Sequence, residues 1–124
     1  MTVHLDTSVL IDALTGPRRS LAALRALVED GHRLSVSAIV RYEWLRGPRV
    51  LAELTTQEAL FPRDATVPFG PAQADVAARL YKSVKNARGR EVDLAIASCA
   101  LADGAALWTL NTRDFSDITD LKLI

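Results

Sequence analysis

Asp6, Glu43, Asp93 and Asp114 are the acids whose settings in the sequence could support chemistry. Each either ends a hydrophobic element or interrupts an otherwise apolar helix face, and they lie far apart along the chain. A fold that gathers them makes one concentrated negative pocket. Carboxylate oxygens are hard ligands suited to Mg²⁺ or Mn²⁺. Ions held by such ligands characteristically act on phosphate.

The elements that would position these acids alternate between strand and helix. Thr2–Leu5 is a short apolar run expected to form a buried strand that ends at Asp6. Ser8–Leu14 opens a helix closed by Gly16, and Pro17 is suited to the first position of a second helix. That helix carries Leu21, Leu24, Leu27 and Val28 at helical spacing and stops at Gly31. Arg33–Val36 reads as a second strand, with Ser37 capping a helix that runs through Arg46. Further helices are expected over Val50–Leu60, from Pro71 through Val84, and over Val92–Ala102. Ala65–Val67 reads as a weak third strand, Ala106–Leu110 as a fourth and Leu121–Leu123 as a short fifth. Strands separated by helices of this length imply parallel pairing. The expected fold class is therefore α/β, a three-layer α/β/α sandwich around a mainly parallel sheet of four to five strands. Ligands bind such sheets beyond the carboxyl ends of the strands. Asp6 directly follows the first strand and Asp114 lies just beyond the fourth, so both should face that edge.

Each acid also has a structural explanation. Asp6 stands where a helix cap is common, although Ser8 offers an alternative cap that would free Asp6 for chemistry. Glu43 shares its helix face with Ile39 and Val40, and an inward carboxylate is costly unless paired or bound to a cation. Its competing explanation is an ion pair with Arg41, Arg46 or another nearby base. Asp93 lies in a first helical turn, where the macrodipole favours negative charge. Ile96, Ala97 and Ala100 follow it on the same face and dock the helix tightly. Asp114 occupies a polar turn, Asn111-Thr112-Arg113-Asp114-Phe115. Asp12, Asp30, Asp75, Asp103, Asp117 and Asp120 have no comparable setting and are expected to be solvated or capping. Two unit charges about 4 Å apart repel by about 4 kcal/mol at an effective dielectric near 20. Acids gathered without a cation should therefore make at least one of them hold a proton more readily.

Composition narrows the alternatives. A chain of 124 residues fits one domain and buries roughly two thirds of its unfolded surface. Hydrophobic residues make up 49% and charged residues 24%, the balance of an ordered globular chain. Cys99 is the only cysteine, which excludes an internal disulfide, and its apolar neighbours fit a core position. Ser8 has no neighbouring histidine to activate it, which argues against a serine hydrolase. His4 and His32 lack partners at metal or triad spacing, and His4 reads as a strand residue. No segment approaches the roughly 20 apolar residues of a membrane span, and the N-terminus lacks signal-peptide features. The expectation is a cytoplasmic protein without a membrane partner. Fifteen basic and fifteen acidic residues cancel, so if the acids cluster the remaining surface is net basic.

Taken in order, Leu5-Asp6-Thr7-Ser8-Val9-Leu10-Ile11, Ser37-Ala38-Ile39-Val40-Arg41-Tyr42-Glu43-Trp44-Leu45, Asp93-Leu94-Ala95-Ile96-Ala97 and Thr109-Leu110-Asn111-Thr112-Arg113-Asp114-Phe115 resemble the PIN-domain ribonucleases. The resemblance is to the VapC-type toxins of bacterial toxin–antitoxin pairs and covers essentially the whole chain. It implies a single nuclease domain over residues 1–124 whose acidic site is Asp6, Glu43, Asp93 and Asp114, all present here. Asp6 and Asp93 would be the direct ligands of Mg²⁺ or Mn²⁺. Glu43 and Asp114 would complete the shell, hold a second ion or orient the attacking water. Thr7 matches the supporting hydroxyl position, and Asn111 its polar companion. The implied partners are an RNA substrate, a cognate antitoxin that places a basic group among the acids, and a second copy of the chain. Candidates for RNA contacts are Arg41, Arg46 and Arg49 near Glu43, and Lys82, Lys85, Arg88 and Arg90 ahead of Asp93. Tyr42, Trp44 and Leu45 are candidates for antitoxin or dimer contacts, with core packing as the alternative.

Two other readings remain. A phosphoacceptor receiver domain requires adjacent acids after the first strand and an acceptor after the third, and this chain has neither. A non-catalytic RNA- or protein-binding module would use its acids only for folding.

Overall fold

The computed structural model describes residues 1–124 and contains three strands and six α-helices. Strands β1 (Thr2–Leu5), β2 (Arg33–Ser35) and β3 (Ala106–Trp108) form a parallel sheet in the order β2-β1-β3. The register pairs Val3 with Leu34 on one side and with Ala106 on the other. Val3, His4 and Leu5 are all buried, so both faces of β1 are covered, as a sandwich requires.

The sheet is narrower than the four to five strands expected. Val67 and Leu123 each form a single parallel bridge, to Ser37 and Leu107 respectively. They flank the sheet at the positions anticipated for the weak third and fifth strands. Pro68 follows Val67 and has no N–H with which to continue a ladder.

Helix α1 spans Thr7–Leu14, α2 Leu21–Glu29, α3 Ala38–Arg46, α4 Leu51–Leu60, α5 Pro71–Ser83 and α6 Glu91–Ala102. Pro17 does not open α2. Gly16 and Arg18 both adopt positive φ, 55° in each case, which holds this stretch as a turn until Leu21. Ser37 caps α3 as expected, accepting from the Val40 N–H at 3.3 Å. In α6 the seven residues Leu94–Ala100 are all buried. This helix packs on α5, α3 and β3. Trp44, Leu10, Leu94, Ile96 and Phe115 anchor a core of 18 buried hydrophobic residues.

Cys99 is fully buried, and burial pushes its thiol pKa up, consistent with a packing role. His4 is more than a strand residue: its Nε2 lies 2.8 Å from Oδ2 of Asp103, the residue capping the C-terminus of α6. No helix is long and apolar enough to cross a membrane.

Candidate active site

Asp6 is the pivot of the acidic region. Its backbone N–H still belongs to the sheet, donating to the Trp108 carbonyl at 2.9 Å, while its carboxylate turns into the start of α1. Asp6 is itself the N-cap of α1, so Ser8 does not replace it in that role. Three donors hold the carboxylate. The Thr7 N–H reaches Oδ1 at 2.9 Å, and the Ser8 and Thr109 hydroxyls reach Oδ2 at 3.0 and 2.7 Å. These bonds compensate for burial of a group only 5% exposed.

Thr7 joins two acids. Its N–H serves Asp6, and its hydroxyl donates to Glu43 Oε1 at 2.6 Å. Glu43 reaches Thr7 because α3 packs on α1 and the inward face of α3 carries Val40 and Trp44, both fully buried. Its second oxygen accepts from Arg46 at 3.3 Å. The intrahelical ion pair that the sequence allows is therefore present alongside the Thr7 contact.

Asp93 enters from the first turn of α6, half-buried by the docking of that helix. Burial raises its carboxyl pKa from 3.8 to about 6, and the charges of Asp6, Asp114 and Glu43 push in the same direction while Arg90 draws it back. The three charges that repel Asp93 are the other three acids. The fold thus brings four residues scattered over more than a hundred positions into one electrostatic field. Asp114 stands at the end of a 3-10 turn, Thr112–Asp114, and is exposed. Its carbonyl accepts from Arg90 at 3.1 Å.

No three of the His, Cys, Asp and Glu side chains form a ready-made metal-holding cluster. Mg²⁺ does not require one, because it retains several waters and takes one or two carboxylates directly. An all-oxygen donor set whose members repel one another fits a divalent ion of that kind. A cavity of about 440 Å³ lies elsewhere, between α5 and the C-terminal segment, and none of the four acids lines it.

The PIN-domain family model matches residues 3–121. The chain belongs to the PIN-domain family. It is 32% identical over 120 residues to Ribonuclease VapC19 of Mycobacterium tuberculosis, covering 95% of each chain. Among solved structures it is similar to a toxin–antitoxin complex from Klebsiella pneumoniae, with TM-score 0.77 and 26% identity, covering 98% of this chain and 95% of that one. It shares its fold with VapBC2 from Rickettsia felis bound to a promoter DNA fragment, with TM-score 0.77 and 21% identity, covering 100% and 98% of the two chains.

Within this PIN domain the basic residues divide sharply. Arg41 is paired with Glu58 at 3.1 Å, and Arg46 contacts Glu43 while lying over the Tyr42 ring at 5.3 Å. Arg49 stacks on Trp44, 4.2 Å from the ring centroid, and donates to the Pro48 carbonyl. Arg90 is held by Asp117 at 2.7 Å. Lys82, Lys85 and Arg88 are exposed and form no ion pair. Trp44 is fully buried, which leaves Tyr42 and Leu45 as the exposed members of their trio.

Sequence reasoning missed Thr109 and the contribution of Ser8. Each hydroxyl accepts a backbone N–H and donates to Asp6: Asn111 N–H to Thr109 at 2.9 Å, and Leu110 N–H to Ser8 at 3.1 Å. Asn111 therefore participates through its backbone, while its side chain is exposed. The β1–β3 register sets Leu5 opposite Trp108, so the next step sets Asp6 beside a hydroxyl. Thr109→Val keeps the shape and removes a donor from a buried carboxylate. We expect it to cost about 1–3 kcal/mol of stability, read as a lower Tm. We also expect cleavage to fall about 10–100-fold, with Thr109→Ser restoring most of both.

Proposed function

We propose that residues 1–124 form a single PIN nuclease domain that hydrolyses RNA as a metal-dependent endoribonuclease, acting in the cytoplasm as the toxin of a toxin–antitoxin pair. The observation that carries this reading is the shared field of Asp6, Glu43, Asp93 and Asp114, strong enough to help lift Asp93 to about 6. The match to a ribonuclease along 95% of the chain supports the substrate class.

Asp6 and Asp93 would hold Mg²⁺ or Mn²⁺ directly, with Glu43 and Asp114 completing the shell. A divalent ion there supplies positive charge at the phosphodiester and acidity for the attacking water. The protein's own part is orientation. Thr7 N–H, Ser8 and Thr109 fix the Asp6 carboxylate, Thr7 fixes Glu43, and the buried length of α6 fixes Asp93. Such restraint would hold mutually repelling groups in place for a shared ion.

Lys82, Lys85 and Arg88 are the proposed RNA contacts, because they alone among the candidate cations are exposed without a partner. Replacing all three by alanine should raise KM while sparing kcat. The slope of log binding constant against log salt should flatten by about 0.7 for each phosphate that is no longer neutralised. A cognate antitoxin and a second copy of the chain are the proposed protein partners. The exposed Tyr42, Leu45, Val50 and Leu51 of the α3–α4 region offer apolar surface for such contacts.

The direct test incubates the purified chain with end-labelled RNA and Mn²⁺, with EDTA and Glu43→Gln as controls, beside growth after induced expression. Cleavage that vanishes with EDTA and with Glu43→Gln, and growth arrest that vanishes with Glu43→Gln, are expected. A folded protein that binds RNA and never cuts it would favour the non-catalytic module instead.

A further inference from the structure

The sequence offers Arg90 as an RNA contact, yet its guanidinium is already committed. Nη1 donates to Asp117 Oδ2 at 2.9 Å and to the Lys85 carbonyl at 3.0 Å. Nη2 donates to Asp117 Oδ1 at 2.7 Å and to the Asp114 carbonyl at 3.1 Å. Arginine has five N–H donors, so only Nε–H remains for a phosphate. The paired parallel bonds to Asp117 are the strong, geometrically exacting kind.

The segments joined in this way carry the acidic site. Arg90 is the residue before α6, three positions ahead of Asp93, and the opposite end of its fork grips the backbone of Asp114. Asp93 rides on a helix anchored by seven buried residues. Asp114 has no such support. It sits on one 3-10 turn held by Asp114 N–H to Asn111 O at 3.0 Å and by burial of the neighbouring Phe115.

We infer that Arg90 is a positioning residue that, clasped by Asp117, fixes the Asp114 turn against Asp93, and that it does not serve as an RNA contact. The assignment rests on the nuclease reading above. It gives Asp117, expected from sequence to be merely solvated or capping, a defined task. The clasp also reaches the Lys85 carbonyl, so the loop carrying Lys85 and Arg88 is tied to the acids by the same side chain.

Asp117→Asn is the decisive variant, because it removes the bidentate partner and leaves the arginine charge in place. Arg90→Gln, Arg90→Lys and the Arg90→Gln/Asp117→Asn double variant complete a cycle. Each is assayed for kcat and KM on RNA with Mn²⁺, for the Mn²⁺ concentration at half-activity, and for amide hydrogen exchange. A positioning role lowers kcat about 10–100-fold in each single variant, raises the Mn²⁺ requirement and leaves KM for RNA nearly unchanged. The double variant should be no worse than the poorer single one, since both remove the same link. Arg90→Lys should fail to rescue, because an ammonium cannot form the fork. Exchange over Asn111–Asp117 should quicken while Leu94–Ala100 stays protected. Full kcat in Asp117→Asn, or a rise in KM alone in Arg90→Gln, overturns the assignment. Unchanged exchange over Asn111–Asp117 also overturns it. If the natural chain cuts no RNA at all, the nuclease reading fails, while the exchange comparison still decides whether the clasp exists.

Discussion

Asp93→Asn should abolish cleavage and at the same time make the protein harder to melt at pH 8. A loss of about 1,000-fold in kcat/KM corresponds to roughly 4 kcal/mol of transition-state stabilisation. The stability change has the opposite sign because Asp93 is held under strain. Its folded pKa of about 6 lies above the ordinary 3.8, so the unfolded chain releases this proton more readily than the folded one. The contribution of Asp93 to stability is therefore full below about pH 3.8, declines as pH rises, and is lost above about pH 6. Replacing the carboxylate by a neutral amide removes that decline. After a discount for solvent screening, the gain at pH 8 is on the order of 2 kcal/mol, or about 8 °C in Tm, and it disappears near pH 4. Calorimetry of both proteins at the two pH values measures it. An inactive variant that is less stable at pH 8 would show that Asp93 is an ordinary capping acid.

Divalent cations should stabilise the natural protein for the same electrostatic reason. At 100 times its dissociation constant a ligand specific to the folded state adds about 2.7 kcal/mol, which corresponds to a rise of about 10 °C for a chain of this length. The rise should be larger at pH 8 than at pH 5. At pH 5, a unit below the folded value of about 6, Asp93 is mostly protonated and the ion must displace that proton. Asp93→Asn should lose most of the effect. Thermal melts in Mn²⁺, Mg²⁺ and EDTA at the two pH values provide the measurement. Identical melting with and without millimolar Mn²⁺ at pH 8 would remove the basis for metal binding by these acids.

Legibility in the sequence followed the range of the interaction. Helix α6 announces itself through an almost unbroken run of small and apolar residues. The placement of Asp6 needed only the adjacent strand. Glu43 was legible because a carboxylate on the same helix face as Ile39 and Val40 demands an explanation. The two outer strands were misjudged in extent, since periodicity over three residues cannot separate a ladder from a single bridge. Pro17 was a reasonable helix start overridden by the left-handed backbone of Arg18. The basic residues were the least legible. Arg90 and Asp117 stand 27 positions apart, and nothing local distinguishes a clasped arginine from the free Lys82 eight residues earlier. Thr109 shows the same limit, for its partner Asp6 is 103 positions away.

That separation has a temporal consequence. β1 emerges from the ribosome about a hundred residues before its β3 neighbour, the Thr109 hydroxyl and the Asp114 turn. Pairings this distant cannot close until the segment that carries β3, Thr109 and Asp114 has been synthesised. A nascent chain stopped short of Thr109 therefore lacks the donor and the turn that complete this acidic cluster while it is still tethered beside its messenger.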